Sequence, residues 1–237
     1  MDGALVYSCE PAATALDWLT RRRLPMVFTD QRPTEGVASV NVDDRGGARA
    51  AAQHLVDLGH RDVAILTVAG DTPGVLTDPV ADLADARHVA LERLLGHLEA
   101  LEPAGVTPVV HRQPRSDDEE AYDAALGLLA GRDRPTGLLC YSDVIAHGVV
   151  RAAEQLGLDV PGDVSVVGFD DSPLARRLRP QLTTVHQDVP EKGRLAASAL
   201  LAAMAAHRAG FSHPVEHARL PTTLVVRDST AAPRAAT

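Results

Sequence analysis

The chain has 237 residues, enough to bury about 70% of the surface that its unfolded form exposes, so it can form one large α/β domain or two smaller lobes. Its 23 Lys and Arg stand against 32 Asp and Glu, and this formal net charge of −9 argues against a protein that coats nucleic acid. One Trp, three Tyr and three Phe are too few for a module that stacks bases.

Short β-rich runs alternate with Ala- and Leu-rich helical runs along the chain. Strands are predicted at Ala4–Tyr7, Met26–Thr29, Ser39–Val42, Val63–Val68, Val106–His111, Gly137–Tyr141, Val164–Phe169, Thr183–His186 and Thr222–Val226. Helices are predicted at Pro11–Arg23, Arg45–Leu58, Val80–Leu101, Asp117–Ala130, Asp143–Leu156 and Pro190–His207. Because several strands are almost wholly apolar, the alternation predicts one or two doubly wound parallel sheets of an α/β protein.

Local signals mark some of the element ends. Ser116 and Glu119 predict a capping box, and Asp188 with Glu191 predicts a second helix start. The residues from Ser229 onward are small and polar, and we expect them to fray.

The sequence also bears on compartment. No stretch approaches the roughly 20 apolar residues that cross a bilayer, and the first residues lack the basic start of a signal peptide. Cys9 and Cys140 are isolated, so we expect two reduced, buried thiols in a cytoplasmic protein.

Polar residues follow most of the predicted strands. They are Ser8, Asp30, Asp43, Asp44, Asp71, Ser142, Asp143, Asp170, Asp171, Gln187 and Asp188. Ligands of open parallel sheets bind at the carboxyl ends of the strands, so the set predicts a polar ligand cleft, although each residue singly also suits a helix N-cap. Arg87 either points into that cleft as a fork for a carboxylate or vicinal hydroxyls, or is an exposed helix arginine.

Enzyme motifs are absent from the sequence. It contains no GxGxxG, Walker A, GxSxG or HExxH pattern. His213 and His217, four residues apart, are a weak candidate for a metal site in a loop-like stretch. The paired carboxylates after two strands lack an accompanying nucleophile. We therefore predict no catalytic residue, no metal and no cofactor.

Four ordered motifs resemble those of LacI/GalR-type transcriptional regulators. They are LVDLGHRDVA at 55–64, VPGDVSVVGFDD at 160–171, LTTV at 182–185 and LPTTLVVR at 220–227. The resemblance spans about residues 2 to 229. It implies a periplasmic-binding-protein-like fold of type I, in which two α/β lobes flank an effector cleft and the chain crosses between the lobes several times.

The resemblance also implies lobe boundaries and a binding site. The first lobe is expected to be 1–59 with 188–219, the second 60–187 with 220–229, followed by a disordered tail at 230–237. The effector, often a sugar, is expected to contact Tyr7, Asp43, Arg87, Ser142, Asp170 and Gln187. Arg87 would fork onto the ligand, and Asp43 and Asp170 would accept hydrogen bonds from its hydroxyls.

The chain departs from the family pattern in three places. The family has Gly three residues after the arginine, where this chain has Ala90. An aromatic that often stacks on the ligand is missing near 111–116, and Tyr7 and Tyr141 are the nearest substitutes. The chain also begins at the strand expected third, after a helix-turn-helix and two strand–helix units of the family.

Three explanations of that start remain open: a fragment, a misassigned start or a natural relative without a DNA reader. In each case the first lobe is expected to be weakened, with unpaired strand edges, and the second lobe to be sounder.

The function that follows is the effector-sensing and dimerisation module of such a regulator. The effector would favour one lobe arrangement in a homodimer, and DNA would be contacted only through a helix-turn-helix outside this chain, with no membrane partner. A solute-binding protein of a sugar transporter with the same fold is the alternative, and a small-molecule enzyme is a third reading.

Overall fold

A computed structural model describes residues 2–7, 14–84, 87–211 and 215–234. Its strands are β1 (Ala4–Tyr7), β2 (Met26–Thr29), β3 (Ala38–Val42), β4 (Val63–Val68), β5 (Gly74–Val75), β6 (Val109–Gln113), β7 (Gly137–Cys140), β8 (Ser165–Asp170), β9 (Thr183–Gln187), β10 (His217–Leu220) and β11 (Thr222–Val225). Its α-helices are α1 (Thr14–Arg21), α2 (Asp44–Asp57), α3 (Pro79–Asp82), α4 (His88–Leu101), α5 (Asp118–Leu129), α6 (Asp143–Gln155), α7 (Pro173–Arg177) and α8 (Val189–Arg208).

The described residues fall into two compact units. The first unit comes from the ranges Met1–Asp43, Arg87–Val89 and Gln187–Pro221, and the second from Asp44–Ala86, Ala90–His186 and Thr222–Thr237. The expected first lobe, 1–59, therefore extends too far, because α2 packs against β11 and belongs to the second unit.

The first unit contains a parallel sheet in the order β1-β2-β3-β10. Helix α8 packs on β1, β2 and β3. The buried cluster between them consists of Val27, Val40 and Ala196, with partly buried neighbours such as Leu200. This is a small core, since its two buried valines contribute only about 1.5–3 kcal/mol each.

The second unit contains a seven-stranded sheet in the order β11-β9-β8-β7-β4-β6-β5. Strands β6, β4, β7, β8 and β9 pair in parallel, and β5 pairs with β6 antiparallel. Successive residues of β4 face opposite sides: Ile65 joins one buried cluster with Leu55 of α2, whereas Leu66 joins another with Val149 of α6. Helices therefore cover both faces, and the predicted doubly wound architecture is confirmed.

Two predicted elements have different bounds in the structure. The helix predicted over 80–101 is interrupted: α3 ends at Asp82, where buried Leu83 forms the C-cap, and α4 begins at His88. The strand predicted at Val106–His111 starts later, at Val109, because Gly105 adopts a left-handed φ of 71° and Pro108 has no N–H for the ladder.

Two strands were not predicted, and one predicted cap differs. Strand β5 is only two residues long, and β10 follows a Pro-containing stretch that suggested a loop. The cap of α5 is Asp117, which accepts from the N–H groups of Glu119 and Glu120 at 3.0 and 3.1 Å, because Ser116 instead bonds to Ser142. The predicted start at Asp188 is confirmed.

The expected fraying from Ser229 is wrong for the described part of the tail. The Ser229 hydroxyl is buried, donates to Val166 O at 2.6 Å and accepts from Thr183 N at 2.8 Å. Ala231 N donates to Ser165 Oγ at 3.0 Å, so the segment is tied to the second sheet.

The described members of the cysteine and histidine pairs are Cys140 and His217. Cys140 is buried and unpaired, and burial raises the pKa of its thiol, whereas Cys9 lies outside the described residues. His217 bonds to Ser39 Oγ at 2.9 Å, and His213 also lies outside the described residues. Where the chain is described, no group of three metal-ligating side chains occurs, and no helix is long and apolar enough to cross a bilayer.

Candidate functional site

The carboxyl ends of the central strands of the second unit gather a cluster of polar and aromatic side chains. Strands β4, β7 and β8 lie side by side in parallel, so the residues that follow them share one edge of the sheet. Tyr141 follows β7, and Phe169 and Asp170 end β8. Helices α2 and α4 bring Asp44 and Arg93 to the same place.

Arg93 is the centre of this cluster. Its side chain is buried, and its Nε donates to Asp44 Oδ1 at 2.8 Å. One terminal nitrogen donates to the carbonyl of Tyr141, and the other lies 3.7 Å from Asp170 Oδ1. The guanidinium carbon lies 3.5 Å from the centroid of the Phe169 ring and 4.7 Å from that of Tyr141. Ion pair and rings together hold the guanidinium in one orientation.

Burial and two carboxylates act in opposite directions on Arg93. Burial alone would lower its pKa, but the charges of Asp44 and Asp170 outweigh this effect, so the pKa of Arg93 is raised. The arginine is thus a permanent cation in a place where an unpaired charge would be costly.

His97 lies one helical turn after Arg93 on α4 and is also buried. Burial, reinforced by the nearby Arg93 charge, lowers the pKa of His97 to about 3. Its Nδ1 has no hydrogen-bond partner within the described ranges. His97 is therefore neutral at physiological pH.

Asp170 is the accessible carboxylate of the cluster. Its side chain is 34% exposed, whereas those of Asp44 and Arg93 are almost fully buried. The next carboxylate, Asp171, faces inward and bonds to Arg227 at 2.5 Å and to His186 at 3.1 Å. Two adjacent aspartates thus differ in what they can do, because only Asp170 is open to an incoming hydroxyl group.

Ser142, predicted to contact the ligand, has an evident local role. It is the N-cap of α6, where its hydroxyl accepts from Ile145 N at 3.3 Å and bonds to Ser116 Oγ at 2.7 Å. The side chain is buried.

Four of the predicted site residues lie in the first unit. Tyr7 ends β1 and is 68% exposed, and Arg87 is exposed at the start of α4. Asp43 follows β3 and pairs with Arg219. Gln187 ends β9, and its Oε1 accepts from Lys192.

Lys192, the single lysine of the sequence, forms a buried ion pair that the sequence did not reveal. Its Nζ lies 2.9 and 2.8 Å from the two carboxylate oxygens of Asp30 and 3.1 Å from Gln187 Oε1. Asp30 follows β2 at a positive φ of 54°. The ion pair joins the end of β2 to the first turn of α8.

The structure thus places Arg93, and not Arg87, beside Asp170. A signal for this existed in the sequence: Gly96 stands three residues after Arg93, the spacing that the family pattern requires and that Arg87 lacks. Gly96 also has a packing reason, because a Cβ there would lie 2.2 Å from the carbonyl oxygen of Arg45. Asp44 was predicted only as one of the polar residues that follow the strands, and Phe169 was not predicted, because their pairing with Arg93 depends on tertiary contacts.

The fold is that of a periplasmic-binding-protein-like domain. A family model described as "Periplasmic binding protein-like domain" matches residues 52–230, and the chain belongs to this family. The resemblance to LacI/GalR-type regulators is confirmed by the relatives described next.

The chain is 36% identical over 208 residues to an HTH-type transcriptional regulator of Mycolicibacterium smegmatis, a match that covers 83% of this chain and 56% of that protein. It therefore spans little more than half the length of this curated relative. A LacI-family regulator from Corynebacterium glutamicum superposes with a TM-score of 0.85 at 27% identity, covering 98% of this chain and 68% of that one. The transcriptional regulator CelR in complex with cellobiose superposes with a TM-score of 0.82 at 28% identity, covering 97% of this chain and 66% of that one.

Proposed function

We propose that this chain is the effector-sensing module of a LacI-type transcriptional regulator and binds a small polyhydroxylated molecule at the carboxyl edge of the second sheet. The observation that carries the proposal is the fixed guanidinium of Arg93 beside the accessible carboxylate of Asp170. A cation with donors and a carboxylate that accepts are the pair that vicinal hydroxyls require. The family arginine is therefore assigned to Arg93 in place of Arg87.

The chemistry of the cluster favours a neutral ligand. Two carboxylates, Asp44 and Asp170, surround the single guanidinium of Arg93. A ligand that carried its own carboxylate or phosphate would add to an excess of negative charge in a partly desolvated place. Sugars fit this balance, in line with the cellobiose bound by the related regulator CelR.

Relatives described as transcriptional regulators support a regulatory rather than a transport role. We propose that the module acts as a homodimer, that it has no catalytic activity, and that effector binding changes the DNA affinity of the whole regulator through the preferred conformation of the module. Sedimentation of the purified chain at several concentrations tests the dimer, and a mass that stays monomeric at every concentration contradicts it.

Thermal-shift and calorimetric titrations with cellobiose and a panel of neutral mono- and disaccharides test the site. We expect Asp170→Asn to weaken binding of the active sugar at least tenfold, because a hydroxyl would lose a charged acceptor. Asp123→Asn, an exposed carboxylate on α5, is the matched control.

A second pair of variants separates the two arginines. Arg93→Lys keeps the charge but loses the planar fork, so we expect it to weaken binding, whereas Arg87→Ala should not. Unchanged affinity in both Asp170→Asn and Arg93→Lys would overturn the site assignment.

A further inference from the structure

The turn after β8 is held in a conformation that its residues do not prefer. Asp170 has φ 113° and Asp171 has φ 49°, both in the left-handed region. For residues other than glycine, such conformations are strained and persist only where neighbouring groups hold them. The accessible carboxylate of the site therefore sits on a strained backbone.

The side chain of Asp143 bridges that turn to the neighbouring strand. Its Oδ2 accepts from the N–H of Ser172 at 2.7 Å, and its Oδ1 accepts from the hydroxyl of Thr184 at 2.5 Å. Thr184 Oγ1 in turn accepts from Asp171 N at 3.4 Å. Gly168 makes room for this contact, because a Cβ there would lie 2.5 Å from Asp143 Oδ1. A single buried carboxylate thus ties β9 to the turn.

We propose that Asp143 is a positioning residue whose ionised carboxylate holds the Asp170–Ser172 turn in its strained form and so presents Asp170 to the effector. The part concerning the effector rests on the proposed function. The part concerning the turn does not, since it rests on the hydrogen bonds of Asp143 to Ser172 and Thr184.

Helix capping does not account for Asp143. Ser142 is the N-cap of α6, and Asp143 occupies the first position inside the helix. Asp143 is only 1% exposed, and burial raises the pKa of its carboxyl to about 6. Because the folded-state pKa is raised, the ionised form opposes folding. The free energy of unfolding therefore falls as pH rises from about 3.8 through 6. Ionised Asp143 at neutral pH thus trades stability for the position of the turn.

The groups around Asp143 come from several elements. The titratable neighbours that face it are Cys140 of β7 and Asp170 of β8. Other charged groups nearby are engaged elsewhere: Arg176 and His186 bond to Asp171, and Asp118 of α5 bonds to His147 and Arg151. Protonation of Asp143 is therefore the change that acts directly on Ser172 and Thr184.

Hydrogen exchange measured by mass spectrometry tests the turn without a ligand. The readout is the peptide covering 168–178, corrected for intrinsic exchange, at pH 7.5 and pH 5.0. We expect Asp143→Asn to exchange at least tenfold faster there at pH 7.5. We expect the wild type to approach the variant at pH 5.0, where a group of pKa about 6 is about nine-tenths protonated. Asp118→Asn, at the matching first position of α5, is the control and should leave this peptide unchanged.

A second variant guards against failure of the first to fold. Thr184→Val removes the hydroxyl that links Asp143 to Asp171 but leaves the carboxylate, and it should also speed exchange of the 168–178 peptide. Exchange that stays at the wild-type rate in Asp143→Asn, or in Thr184→Val if the first variant does not fold, overturns the proposal.

Titration with cellobiose tests the link to binding. We expect the wild-type affinity to fall about tenfold between pH 7.5 and 5.0 and the Asp143→Asn affinity to be weaker and flat over that range. Equal pH dependence in both proteins contradicts the link. If the wild type binds no sugar of the panel, the proposed ligand class fails, and the exchange result alone decides the role of Asp143.

Discussion

The two compact units follow the same strand–helix plan but differ in how fully each sheet is covered. Among the described residues of the first unit, the buried cluster consists of Val27, Val40 and Ala196, and β1 lies at an edge of the sheet with Leu5 about half exposed. In the second unit, clusters several times larger lie on both faces of the sheet. Since buried apolar area supplies most of the favourable free energy of folding, the second unit should be far more stable than the first.

A buried ion pair near the carboxyl end of the sheet occurs in each unit. In the first unit Lys192 pairs with Asp30, and in the second Arg93 pairs with Asp44. These pairs provide a matched way to test the difference in stability, since removing the cation leaves a buried carboxylate in both cases.

We expect the largest effects from Lys192→Met and Arg93→Met. Each should lower the free energy of unfolding of its own unit by about 3–5 kcal/mol, because the remaining carboxylate is buried without its partner. In the small first unit this loss should unfold the unit locally, whereas the second unit should stay folded. Urea titration combined with hydrogen exchange measures the free energy of unfolding of each unit. A first unit that stays protected in Lys192→Met would contradict the comparison.

Deletion of buried side-chain volume should reveal the same difference in stability between the two units. Leu139→Ala, at a fully buried position of β7, should cost about 3 kcal/mol, and Val27→Ala in β2 about 2 kcal/mol. The second unit should stay folded after its loss of stability, whereas the first unit starts from a lower free energy of unfolding and should unfold locally. Hydrogen exchange of the wild type supplies the baseline, and equal protection of β2 and β3 in the first unit and of β4 and β7 in the second would show that the small core is not limiting.

The sequence predicted much of the second unit because its signals are local. Apolar strands flanked by Ala-rich helices predicted β4, β7 and β8 to within one or two residues. The site was predicted less well. Asp170 follows a recognisable strand, but the role of Arg93 depends on contacts with Asp44 and Phe169 from distant segments, and no local pattern encodes such contacts.

In the first unit, β1, β2 and β3 were predicted to within one residue, but β10 was not predicted. Strand β10 is short and exposed, so it lacks an apolar signature, and it becomes a strand only by pairing with β3. Likewise, a lysine in a predicted helix is expected to be exposed to solvent, and only the tertiary fold brings Lys192 to Asp30.

Acid should act on the second unit through His97. Its pKa is lowered from 6.5 to about 3, so the stability it confers is complete above pH 6.5 and is lost as pH falls toward 3. Between pH 7 and 4.5 this loss should reach about 2–3 kcal/mol. Protonation of Asp143 below pH 6 raises the free energy of unfolding and partly offsets the effect of His97. The stability of the wild type is therefore expected to change little with pH over this range.

The variant His97→Phe isolates the histidine in that profile. It removes the titrating group from a buried position, so the second unit should gain stability relative to the wild type as pH falls from 7 to 4.5. Chemical denaturation at several pH values measures the difference. A constant difference between the two proteins across that range would mean that His97 does not titrate between folded and unfolded states.

The smallest expected effect comes from the helix caps, and it compares the units most directly. Asp188 caps α8 in the first unit by accepting from Glu191 N, and Asp117 caps α5 in the second by accepting from Glu119 N. Replacement by Ala should cost about 1 kcal/mol at each helix, because the first-turn N–H groups lose their side-chain acceptor. A cost of that size raises the population of locally open forms about fivefold, whichever unit carries it.

The same fivefold change should be visible only where the open form is already populated. In Asp188→Ala, exchange in α8 and the strands it covers should therefore accelerate measurably within minutes, whereas in Asp117→Ala the central strands β4 and β7 should remain protected. If both variants accelerate exchange throughout both units equally, the two units unfold as one cooperative body and the unequal cores do not set separate stabilities.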